Sequence, residues 1–199
     1  NIGANKEAKD RVADYYKAAH FLSADADYLT VNISSPNTPG LRLLQHESHI
    51  KAVLEGAIKG RDEAIAHASD RPPVFVKLAP DLETKDLFSA MDASAKAGVA
   101  GFILTNTTVS RPDSLTSIHR GEAGGLSGQP LAQRALKVLS EAAGHLKRSG
   151  AQDIVLIGAG GIGTAEQAYA RLLAGAGLLQ IYTALALHGP HIVVNILSQ

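Results

Sequence analysis

Residues 31–42 read VNISSPNTPGLR, and the way this stretch changes character half-way along decides the fold. Val31 and Ile33 belong to a β-rich run, and the chain then passes without a break into two serines, two asparagines, a threonine and two prolines. The prolines fix φ and hold the neighbouring amides and hydroxyls in place. A plain polar turn has the same composition, so the stretch is informative only because its pattern recurs. Five short runs read as strands that are apolar or β-branched on both faces: Tyr28–Ile33, Val74–Leu78, Gly101–Thr105, Ile154–Gly158 and Leu178–Tyr182. Each ends in a polar or glycine-rich cluster: Asn32 to Asn37, Lys77 to Asp81, Thr105 to Arg111, Gly158 to Gly163, and Tyr182 with Thr183.

Helical patterns lie between these runs. Ala8, Val12, Tyr15, Ala19 and Leu22 recur at the spacing of one helix face. Ile50, Val53, Leu54, Ala57 and Ile58 do the same, as do Leu131, Ala135, Val138, Ala142 and Leu146. Thr164 followed by Gln167 is a capping box, which predicts a helix from there to about Gly175. Strands alternating with helices imply parallel βα units. A doubly wound sheet gathers its functional residues at one switch point, whereas a (β/α)8 TIM barrel spreads them over the carboxyl ends of many strands. The polar strand ends therefore favour the α/β barrel. Five strands and a strand end at Asn1–Gly3 fall short of eight, so only the later βα units are expected here. Residues 1–199 read as the C-terminal portion of a single barrel domain, with earlier strands expected upstream.

Composition narrows the function classes. Nineteen basic and nineteen acidic residues give zero formal charge, which removes the attraction on which nucleic-acid binding relies. With 45% hydrophobic residues and no low-complexity run, the chain can bury a real core. The lack of cysteine excludes disulfides, thiolate metal sites and a cysteine nucleophile. Leu172–Leu187 is the nearest approach to a membrane span and is too short and too polar. No targeting leader is visible at Asn1, where the start has the look of a cut.

Six stretches in order, VNISSPNTPGLR, VKLAPDL, LTNTTVSRP, GGLSGQPL, IGAGGIGT and QIYTAL, closely resemble the class 2, membrane-associated dihydroorotate dehydrogenases. The resemblance runs over essentially the whole chain. It implies FMN across the carboxyl mouth of the barrel and oxidation of dihydroorotate to orotate in pyrimidine biosynthesis. A proton leaves C5, and a hydride passes from C6 to the flavin N5. It assigns the base to Ser35, where a related class has cysteine, and gives Thr38 a part in routing the proton. Serine is a poor base at its free pKa and needs a proton path and a well-held substrate. Asn32, Asn37, Asn106 and Thr107 match positions that hydrogen-bond the substrate, a suitable task for amides facing a planar ring.

The same resemblance makes Asn1, Asn32, Lys77 and Thr105 flavin contacts, and Gly128, Gly161, Tyr182 and Thr183 contacts on the phosphate side. A lysine after an apolar run is more often a snorkelling surface side chain. In this family it places a cation near flavin N1 and O2, where charge builds up on reduction. Quinone as electron acceptor and peripheral attachment to an inner membrane, more in keeping with a bacterial than a mitochondrial source, are implied through a region upstream of Asn1.

Read on its own, Gly158–Gly163 fits G-x-G-x-x-G, yet the next strand ends in Tyr182-Thr183 without the acidic residue a dinucleotide site requires. A barrel phosphate site is the better expectation. The histidine pairs 46/49 and 188/191 have no carboxylate pattern beside them, so no metal is expected. Two alternatives stay open: a phosphate-binding barrel lyase or isomerase without flavin, and a non-catalytic fragment. The first leaves Ser35, Asn37, Lys77 and Asn106 without a role.

Overall fold

The computed structural model describes residues 1–38, 40–151 and 153–198, so Pro39 of the opening stretch and the terminal Gln199 lie outside the described residues. Five strands occur, β1 (Leu29–Asn32), β2 (Val74–Leu78), β3 (Gly101–Leu104), β4 (Val155–Ala159) and β5 (Leu178–Gln180). They form one sheet in chain order, with β1 parallel to β2 and β4 parallel to β5. The helices are α1 (Arg11–Leu22), α2 (Glu47–Ala64), α3 (Thr84–Lys96), α4 (Ala132–Ser149), α5 (Ala165–Leu173), α6 (Thr183–His188) and α7 (His191–Leu197). This is the alternation expected of successive βα units. The chain divides into two compact units, Asn1–Leu78 with Glu83–Phe102, and Ala79–Leu82 with Ile103–Gln199.

In the first unit, β1 and β2 pair from Leu29 opposite Val74 to Asn32 opposite Lys77. The expected strand end at Asn1–Gly3 is present as a parallel bridge between Ile2 and Val31. Ile2 N–H donates to Thr30 O at 2.8 Å, and Asn32 N–H donates to Ile2 O at 2.9 Å. Leu29, Val31, Val74 and Val76 are buried, as β-branched and aliphatic residues of a strand covered on both faces should be. Helix α1 starts at Arg11, later than the pattern from Ala8 suggests, because the Asp10 side chain caps the Ala13 N–H at 3.0 Å. Its buried face is Tyr15 and Ala19, while Leu22 is exposed. Ile50, Val53, Leu54 and Ala57 of α2 are all fully buried. The two helices approach closely at Gly60, where a Cβ would stand 2.3 Å from the Tyr16 carbonyl oxygen.

In the second unit, β4 and β5 pair from Ile157 opposite Leu178 to Ala159 opposite Gln180. Ala135, Val138, Ala142 and Leu146 of α4 are buried at the predicted spacing. Thr164 caps α5, accepting from Gln167 N–H at 3.3 Å. Gln167 Oε1 reaches one residue beyond a regular capping box, to Gly163 N–H at 2.9 Å. Strand β5 departs from expectation. It is three residues long rather than five, and Leu178 is 57% exposed instead of buried. Among the described residues β5 is the last strand in the order and pairs with β4.

Tyr15 links the helical layer to the end of β1. It is fully buried, and its hydroxyl donates to the Asn32 carbonyl at 2.7 Å. Burial pushes its pKa up from 10.0 to about 12. A group that stays protonated longer in the native state contributes stability that is complete below pH 10 and is lost as pH rises toward 12. Tyr15→Phe is expected to lower the unfolding free energy by roughly 1–3 kcal/mol at neutral pH, since the Asn32 carbonyl loses its donor. It should also flatten this alkaline loss. Denaturant melts of both proteins at pH 8 and pH 11 check the two effects.

Candidate active site

The strand ends of the first unit carry the first group of candidate residues. Asn32 and Lys77 face each other across the β1–β2 ladder as its last paired residues. Beyond them the chain must turn, and its two serines do different things. Ser34 is completely buried, and its hydroxyl donates to the Lys77 carbonyl at 2.5 Å. Its N–H and hydroxyl also lie 3.3 Å from Asn32 Oδ1, while its carbonyl accepts from Arg42 Nε at 3.2 Å. Ser34 is thus spent on tying the two strand ends together. Ser35 is half-buried, and its Oγ accepts the Asn37 N–H at 3.2 Å. Thr38 follows on the same turn, half-buried, its carbonyl accepting the Leu41 N–H at 3.1 Å. Asn37 and Asn1 are exposed.

Lys77 is half-buried, and its ammonium has no carboxylate or hydrogen-bond partner among the described residues. Burial holds its pKa below the ordinary lysine value. A snorkelling lysine would keep its head in water, whereas the Lys77 ammonium is partly desolvated.

The second unit carries the other candidates. Thr105, just past β3, is buried; its N–H donates to Ala159 O at 2.7 Å and its hydroxyl to Asn106 O at 2.8 Å. Asn106 Oδ1 accepts the Thr107 N–H at 2.8 Å, and both residues are half-buried. Gly128 lies beside Thr183, whose hydroxyl donates to Ser127 Oγ at 3.0 Å. Gly161 sits on the first turn of α4 at φ +68°, where a Cβ would come within 2.4 Å of Ala132 Cα. Only glycine permits that contact. Tyr182 is 83% exposed. The structure therefore gathers Asn32, Ser35, Thr38 and Lys77 at one pair of strand ends, and Thr105, Asn106 and Thr107 at another. Gly128 is brought to Thr183, and Gly161 to α4.

Three residues outside the expected site set shape these sites. Arg111 donates to six backbone carbonyls, those of Thr108, Val109, Ser110, Arg120, Glu122 and Gly124, at 2.8–3.4 Å. It fills the excursion that leaves the Asn106–Thr107 corner and returns at Leu126, where Thr108 and Leu126 exchange two backbone hydrogen bonds. Asp81 grips the same corner, accepting from the Thr108 hydroxyl at 2.5 Å and the Val109 N–H at 3.0 Å, with Arg134 Nη2 at 3.3 Å. Arg171 of α5 is 2% exposed and donates to the carbonyls of Gly160, Ala132 and Gln167 at 2.8, 3.0 and 2.8 Å. Arginine on the buried face of a helix, in step with Ala168, was the one available clue to it.

Comparison with known proteins agrees with this layout. The family model described as dihydroorotate dehydrogenase matches residues 1–199. The chain belongs to the dihydroorotate dehydrogenase family. It is 45% identical over 196 residues to the dihydroorotate dehydrogenase (quinone) of Azorhizobium caulinodans, covering 98% of this chain and 54% of that protein. It is 46% identical to the protein of the same name from Sphingopyxis alaskensis, covering 98% and 52%. The crystal structure of DHODH from Eimeria tenella in complex with ferulenol superimposes with a TM-score of 0.90 at 34% identity, covering 98% of this chain and 55% of that one. The chain spans about half the length of these relatives. Its element order is that of successive βα units of a partial (β/α)8 barrel.

Arg111→Ala is expected to release the 108–126 excursion while sparing α4. Six carbonyls lose a shared donor, so local opening there should become easier by roughly 1–3 kcal/mol. Arg111→Lys should recover only part, because an ammonium cannot reproduce five donors fixed in a plane. Amide exchange at Thr108 and Leu126, read against amides of α4, measures this directly.

Proposed function

We propose that this chain forms the later βα units of a quinone-dependent dihydroorotate dehydrogenase that binds FMN and oxidises dihydroorotate to orotate in pyrimidine biosynthesis, as one flavin-binding barrel domain. The observation that carries the reading beyond family membership is the β1–β2 strand end. There an unpaired, half-buried ammonium at Lys77 stands in register with Asn32, next to the turn that presents Ser35. The turn residues Gly160 and Gly161, with Gly128 beside Thr183, are suited to receive the phosphate of the flavin. When bound, the flavin supplies the hydride acceptor. A lyase or isomerase without flavin gives Lys77 and Ser35 no task, and neither of the relatives' names favours it.

Each residue then has a role its surroundings allow. Ser35 accepts the proton from substrate C5 on an oxygen already facing the Asn37 N–H, and Thr38 on the same turn passes it on. Asn32, Asn37, Asn106 and Thr107 hold the pyrimidine ring, whose edge offers donors and acceptors together. Lys77 offsets negative charge on the electron-accepting ring, with Asn1, Asn32 and Thr105 as further flavin contacts, while Tyr182 and Thr183 complete the phosphate side. Quinone as the final acceptor accords with the relatives' names, and peripheral attachment to a bacterial inner membrane is part of the same proposal. Among the described residues no helix is long and apolar enough to cross a membrane.

Purified full chain should be yellow, and dihydroorotate should bleach it. Ser35→Ala is expected to retain flavin yet slow that bleaching by about 10²- to 10⁴-fold, the usual worth of a general base; an unchanged stopped-flow trace removes Ser35 from proton transfer. In Lys77→Ala, flavin should be held more weakly and be harder to reduce. Equal retention and an equal midpoint potential would return Lys77 to the status of an ordinary lysine.

A further inference from the structure

Arg171 is the most completely buried charge among the described residues, and the reading above gives it nothing to do. Its guanidinium joins three separate pieces of backbone: Gly160 in the turn after β4, Ala132 at the start of α4, and Gln167 one turn back in its own helix. Every partner is a neutral carbonyl. Among the described residues no carboxylate lies within ion-pair reach, so three carbonyls take up its N–H donors while its charge meets no counter-charge. A buried charge without a counter-charge is costly, and burial alone depresses its pKa.

The surroundings add to the imbalance. Helix α4 is 18 residues long and begins at Ala132, so the positive end of its dipole occupies the same corner. Gly161 is pressed against that first turn, closely enough that any side chain would collide with Ala132. Two sources of positive potential thus converge on a glycine-rich turn that admits no side chain at Gly161. An anion is the species that would make this arrangement favourable. The turn cannot supply one itself, because residues 158–164 read GAGGIGT and contain no acidic group.

We propose that Arg171 is a positioning residue whose buried, uncompensated charge makes the Gly160–Gly163 turn select a phosphorylated flavin over the unphosphorylated one. The inference rests on the flavin reading and adds a residue to it. Tying Gly160, Ala132 and Gln167 together fixes the turn; the net positive charge behind it then acts on the phosphate across one layer of backbone. The two functions separate by substitution. Arg171→Lys keeps a cation and loses the fork that spans three carbonyls. Arg171→Met keeps the volume and loses both.

The test is flavin binding to apoprotein of the full chain, followed by quenching of flavin fluorescence with FMN and with riboflavin. Wild type should bind FMN far more tightly than riboflavin. Arg171→Met is expected to weaken FMN by roughly 10- to 100-fold, the range of a charge-assisted interaction, with riboflavin changing less than about threefold. Arg171→Lys should weaken both flavins while keeping most of the preference between them. Equal weakening of both flavins in Arg171→Met would reduce Arg171 to a structural strut and overturn the proposal, as would unchanged FMN binding. If the Met variant does not fold by circular dichroism, the Lys variant decides, since loss of the preference in a protein that retains the cation contradicts the charge argument. Failure of wild type to bind either flavin would sink the flavin reading itself, an outcome distinct from all of these.

Discussion

Parallel pairing of short buried strands is the constraint from which the rest follows. A parallel ladder delivers the carboxyl ends of its strands to the same edge, and the backbone groups emerging there need partners from outside the ladder. In the first unit Ser34 meets that demand: its hydroxyl takes up the Lys77 carbonyl and its carbonyl takes up Arg42. Tyr15 does the same for Asn32 from the helical layer. Because these obligations fall on buried residues, the next side chain along, Ser35, takes no part in tying the strand ends together.

The second unit answers the same demand with arginine. Arg111, Arg134 and Arg171 each donate to main-chain carbonyls beyond the strand ends, and of the three only Arg134 also meets a carboxylate among the described residues, that of Asp81. A guanidinium suits this task because its donors diverge in a plane and remain charged at every relevant pH. The strand ends proposed to carry function therefore rest on a framework made of other side chains.

This division of labour explains what the sequence made legible. Val74–Leu78 is a strand with the bounds its apolar run indicates, and the α4 face is buried residue for residue. Both are decided by local periodicity. The exposure of Leu178 was not readable, since a strand's burial depends on what lies beside it. The two serines at 34 and 35 are chemically identical in sequence; resemblance singled out the second, and the structure adds the reason the first is unavailable. Arg171 was invisible because arginine is ordinarily counted as surface, and only the fold turns that side of α5 inward.

Arg111 carries a consequence for how this protein can change. It recognises residues 108–124 through their carbonyl oxygens, and a carbonyl is the same in every amino acid. The outer part of that excursion, with Ile118 93% exposed, is therefore free to drift in side-chain identity while its path is held from within. Only substitutions that redirect the main chain, such as a new proline, would be felt at Asn106 and Thr107. The excursion behaves as a sequence-blind buffer between a fixed corner and a variable surface.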